Sequence, residues 1–180
     1  MTDAIQNEYA LFPTEGNPGE IADFQTATDG LEDGTRSASE VVYFGEGVMS
    51  TAADPRTVRA PTSAAEAARC TGVVVRDNNS VGSGTGGYPV GWLVRLLRRG
   101  RIRVRSETAV KDGQQAYLRF AVGVADPTQL PGAWRNDAGT ESAAAKAAAV
   151  PGAIFRTTTA STGKVVWLEL NLEGQALTAE

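Results

Sequence analysis

The 180-residue sequence contains no histidine and a single cysteine, Cys70. Without imidazole there is no Ser-His-Asp or Cys-His nucleophile pair, no histidine general base and no His-ligated zinc. A lone thiol excludes an internal disulfide and any cysteine-cluster metal site, and the expectation for Cys70 is a small buried hydrophobe. No apolar run approaches the roughly 20 residues that cross a bilayer, and the opening MTDAIQNEYA lacks the basic flank and apolar stretch of a signal peptide. A soluble protein made in a cytoplasm, with no membrane partner, is therefore expected. Carboxylate-only hydrolysis survives these exclusions, but 21 acidic residues single out no pair for it. The reading is of a non-enzyme with no catalytic, cofactor-binding or metal-ligating residues and no cofactor.

What is present is turn chemistry: 20 glycines and 8 prolines break the apolar residues into short runs. This predicts a mainly β fold, a compact β-barrel or β-sandwich with an extended N-terminal arm and one short helix. Residues 1–34 carry Pro13, Pro18 and several glycines among acids, with isolated Tyr9, Leu11, Phe12, Ile21 and Phe24; they read as the arm, and 35–180 as the β-rich domain. Strands are expected over 40–50, 73–75, 88–99, 116–122, 153–158 and 165–172. Ser63 stands three before Glu66, a capping-box spacing that predicts a short Ala-rich helix ending near Arg69. Residues 126–151 read as a loop insertion whose Ala-rich part forms a helical turn. After Gly100, RIRVR alternates strictly, placing Ile102 and Val104 on one face and Arg101, Arg103 and Arg105 on the other. Gly100 itself marks either a bulge in one long strand or a tight hairpin turn.

The net charge of −4 conceals a strong asymmetry. Residues 1–40 hold nine acids against Arg36, a net −8; residues 92–111 hold Arg95, Arg98, Arg99, Arg101, Arg103, Arg105 and Lys111 against Glu107, a net +6. The arginine strand is read first as an ion-pairing surface for acidic protein partners, the chain's own arm among them, and otherwise as a solvated face. Nucleic acid is disfavoured, because only Trp92 accompanies the arginines where single-strand binders use several stacking rings. Residues 82–87 satisfy G-x-G-x-x-G literally, but Tyr88 and Pro89 lead into a β-like run instead of a helix N-terminus, so a flexible surface loop is expected. Asp29, Glu32 and Asp33 depart from calcium-loop spacing and read as a solvated turn. Trp92, Trp134, Trp167, Phe120 and Phe155 are assigned to core or interface ahead of a sugar platform.

Five ordered blocks complete the reading: NPGEIADFQ (17–25), GVVVRD (72–77), YPVGWLVRLLRRGRIRV (88–104), KDGQQAYLRF (111–120) and the terminal VVWLELNL. Together they resemble the structural cement, or decoration, proteins of tailed-phage capsids, over about residues 9–172. The resemblance implies a β-barrel or sandwich-like protein on the capsid exterior, made in the host bacterial cytoplasm. It implies a major capsid protein partner, self-association at local symmetry axes with a homotrimer favoured over a dimer, and extended segments that clasp capsomers. The interface residues expected on this reading are Tyr9, Phe12, Ile21 and Phe24 as apolar anchors, with Arg95, Arg99, Arg101, Arg103 and Arg105 as ion-pairing groups. A carbohydrate- or receptor-binding β module on the virion surface is the alternative.

Overall fold

The structure is a computed structural model that describes residues 16–21, 30–76, 86–123, 129–139 and 145–172. Among the described residues, twelve strands and one helix follow in order. Strands β1 (Leu31–Ala38), β3 (Gly47–Ser50), β4 (Thr57–Arg59), β5 (Gly72–Val74) and β7 (Leu93–Leu97) form a closed barrel in the order β1-β4-β3-β5-β7. Closure depends on β1, which runs parallel to β4 and antiparallel to β7. A second, five-stranded sheet has the order β10-β9-β11-β12-β8, from β8 (Arg99–Arg105), β9 (Gln115–Arg119), β10 (Trp134–Arg135), β11 (Ala147–Phe155) and β12 (Val165–Asn171). Its outer strands come together where Ser106, just past β8, bridges Trp134 of β10. A short ladder pairs β2 (Val42–Tyr43) with β6 (Gly87–Tyr88).

Two apolar clusters form the core, the second drawing Val73 and Leu97 from barrel strands as well as residues of the five-stranded sheet. Val48, Val58, Val74, Val94 and Leu96 fill the barrel, with the Phe44 and Tyr88 rings edge to face at 5.5 Å. Ile102, Val104, Leu118, Trp134, Phe155, Val166, Leu168 and Leu170 fill the second cluster. The two meet at glycine: a Cβ on Gly47 would lie 2.5 Å from Leu118 and 2.8 Å from Trp134, so only glycine lets β3 approach the neighbouring sheet this closely. Gly47 N donates to Gly132 O at 3.0 Å, and the Trp134 indole donates to Gly45 O at 3.0 Å, so this junction is hydrogen-bonded as well as packed.

The expected mainly β architecture with one short helix is what forms. Helix α1 (Ala64–Ala68) is capped by the Ser63 hydroxyl, which accepts from Glu66 N. Glu66 returns its carboxylate to Thr62, bonding both N and Oγ1, one residue earlier than the simple capping box. The 40–50 strand divides into β2 and β3 because Phe44 and Gly45 turn, Gly45 at φ +82°. The 88–99 strand divides likewise, with Gly91 at φ +80° in the turn between β6 and β7. Gly100 is neither bulge nor hairpin. It lies inside β8 opposite Leu170, and the break falls at Arg98, where the chain leaves the barrel for the second sheet. Ala147–Phe155 replaces the expected helical turn with a strand: residues 147–149 pair with β9 through Ala147↔Arg119, Ala148↔Leu118 and Ala149↔Tyr117. The preceding Trp134 is fully buried, so this stretch supplies core as well as connection.

Candidate functional site

On β8 the alternation acts as expected. Ile102 and Val104 are fully buried, while Arg101, Arg103 and Arg105 face outward beside Glu169, Trp167 and Val165 of β12. The outward arginines are not a bare cationic stripe. Arg101 Nε lies 3.0 Å from Glu169, which also pairs with Arg156 at 3.0 Å. The hydrogen bond from Arg156 is the largest influence on Glu169; with the help of Arg101 it outweighs partial burial and holds the carboxyl below its usual range. Arg103 pairs with Glu20 at 2.9 Å and stacks over the Trp167 ring at 4.6 Å. Arg105 makes no ion pair among the described residues. Arg99 is exposed opposite Asn171 on the same strand. Arg95 is separated from this group: it lies on β7, in the barrel, in register with Asp33.

The Glu20 contact belongs to a strap. Residues 17–21 run beside the edge of β8 that β12 leaves open: Gly19 N donates to Arg103 O at 2.7 Å, Arg103 N to Glu20 O at 2.8 Å, and Ile21 bridges Ile102. Ile21 packs against the chain's own core, so it anchors the strap in cis. Gly16 lies so close over the Arg103 side chain that an added Cβ would overlap its guanidinium. Burial works to raise the Glu20 carboxyl, but hydrogen bonds from Asn17 together with the charge and hydrogen bond of Arg103 hold it low. Tyr9, Phe12, Phe24 and Asp29 lie outside the described residues, as do residues 77–85 of the glycine-rich loop. Glu32 is engaged by Thr35 Oγ1 at 2.5 Å and by Arg36 at 2.8 Å.

A cleft opens between the barrel and the second sheet, with a volume of about 720 Å³, walled in part by Phe44, Glu46, Arg76, Arg105, Leu130 and Trp134. Pro18 of the strap also reaches it. Burial pushes the Glu46 carboxyl up to about 8, against the opposing hydrogen bond from Tyr43 N. The Arg76 guanidinium sits over the Phe44 ring at 5.5 Å. Tyr43 and Leu130 stand exposed at the mouth.

Sequence reasoning missed a buried polar network below this cleft. Arg119 is fully buried, holds Glu107 through Nε at 2.9 Å and bonds Gln129 Oε1 at 2.8 Å. Arg135 joins it, pairing with Asp137 at 2.7 Å and reaching Glu107 at 3.5 Å. Nothing in AYLRF marks Arg119 as interior, because Leu118 beside it is buried too and the alternation fails there. Of the tryptophans, Trp134 is core, Trp167 is covered by Arg103, and Trp92 is 50% exposed, near exposed Val90 and Leu93.

The described residues build a mainly β body with one short helix, whose outward arginines Arg101 and Arg103 pair with Glu169 and Glu20. The fold matches a chain in the structure titled "The capsid of Myoviridae Phage XM1" with a TM-score of 0.65 at 16% identity, covering 93% of this chain and 98% of that one. A search of curated proteins finds no match. The family model of the structural cement protein (E217 gp24/Pam3 gp6) matches residues 5–171, and the chain belongs to that family. It is a phage capsid-associated structural protein of the virion, as the ordered sequence blocks implied.

Proposed function

We propose that this chain binds the outer surface of the assembled capsid and stabilises it by bridging neighbouring major capsid protein subunits. The observation that carries the reading is the extent of the family match, which begins at residue 5 and so takes in the arm as well as the β body. A ligand that binds the assembled shell and not its separate subunits shifts the equilibrium by mass action, about 2.7 kcal/mol per site at a hundredfold excess over Kd. Simultaneous contacts to several subunits multiply that effect through effective concentration. Tyr9, Phe12 and Phe24 are the apolar anchors on this reading, and Arg99, Arg101, Arg105 and the barrel's Arg95 contribute charge at the contacts. Self-association, as a trimer in preference to a dimer, belongs to the same proposal, as does synthesis in the host cytoplasm.

The experiment is cosedimentation with purified expanded capsids. Deleting residues 1–15 leaves the strap on β8 intact; the truncated protein is expected to keep its melting temperature and lose at least tenfold in capsid occupancy. Undiminished occupancy would overturn the bridging role of the arm.

A further inference from the structure

The cleft between the two sheets has the dimensions of a ligand site and no occupant from the described residues. Its volume of about 720 Å³ lies within the range of roughly 300–1,000 Å³ typical of such sites. Two of its cations, Arg76 and Arg105, make no ion pair among the described residues, whereas Glu107 in the same wall is held by Arg119. Tyr43 and Leu130 offer apolar surface at the mouth, 41% and 42% exposed. The site therefore asks for an extended segment that carries carboxylates and large apolar side chains together.

Of the segments outside the described residues, 1–15 is the longest and carries the most of both kinds of group. Residues 1–15 hold Asp3, Glu8 and Glu15 with no Lys or Arg, and among them Ile5, Tyr9, Leu11 and Phe12. Fifteen residues can span up to about 50 Å when fully extended, against a radius of gyration of about 16 Å for a compact chain of this length, so a segment of that length suffices to reach a second copy. We propose that the cleft between the barrel and the second sheet receives residues 1–15 of a second copy of this chain, Glu8 pairing with Arg105 or Arg76 and Tyr9 and Phe12 packing against Tyr43 and Leu130. This rests on the proposed role of the arm and gives it a receptor. The near-neutral Glu46 carboxyl leaves the cleft's charge to the two arginines, which favours an acidic guest.

The test uses the full chain with Leu130→p-benzoylphenylalanine, irradiated as an equal mixture of 14N and 15N copies, free and on capsids. Cross-links from position 130 to residues 1–15 that join light with heavy chains are expected. They should fall at least fivefold with Arg105→Glu or Arg76→Glu and recover when Glu8→Arg is added. Cross-links only within one chain, cross-links to capsid protein, or yields indifferent to both arginine reversals would overturn the proposal. If these fail while deletion of residues 1–15 still strips the protein from capsids, the inference falls and the proposed function stands.

Discussion

Glu46 shows how one side chain links the fold to solution conditions. Its carboxyl keeps a proton up to about pH 8 in the folded chain, mainly because burial disfavours the charge, whereas the unfolded chain loses it near 4.5. Between those values the folded state binds more protons, so this group's contribution to stability declines as pH rises through the window and levels off above 8. Glu46→Gln keeps an acceptor for Tyr43 N and removes the titration. The variant should match the parent in chemical denaturation at pH 4 and exceed it at pH 8.5; parallel pH profiles would refute the assignment. Glu169 and Glu20 act in the opposite sense, their lowered values giving stability that is lost as pH falls below about 4.5. Cys70 is a bystander to all of this, its thiol pushed up to about 12 by burial, as its expected place in the core implies.

Among the elements, β3 makes the sharpest demand on sequence. Gly47→Val would drive a branched side chain into Leu118 and Trp134, an overpacking that costs about 1–3 kcal/mol and should lower the melting temperature by about 2–12 °C. A melting temperature within 1 °C of the parent would show that the two sheets have room to part. The elements differ in how plainly the sequence announces them. β8 and β12 were legible because their alternation is dictated by one buried face, and α1 because its cap is local. β1 was not: LEDGTRSA is poor in β-formers, and it becomes a strand because the barrel needs a partner for β4 and β7. The alanines of β11 have high helix propensity, yet they lie in a strand over which α1 packs, where small side chains suit a close helix. For the candidate site, the outward arginines were readable from period two, but their partners were not, since Glu20 and Glu169 lie 83 and 68 residues away along the chain.

At the scale of the whole molecule, two apolar clusters share one seam, tied by the Trp134 indole to Gly45 O and by Gly47 N to Gly132 O. The chain should therefore melt in one cooperative transition, with calorimetric and van't Hoff enthalpies equal; two resolved transitions would show that barrel and sheet unfold separately. The strap has a further effect that bears on crowding. A strand with a vacant side is a template onto which another chain can add, and the hazard grows where many copies are held close together. By occupying the backbone of β8 at Arg103, residues 19–21 deny a neighbour that template. On the proposed function, which crowds copies onto one particle, the covered edge would keep their sheets from fusing into one continuous fibre.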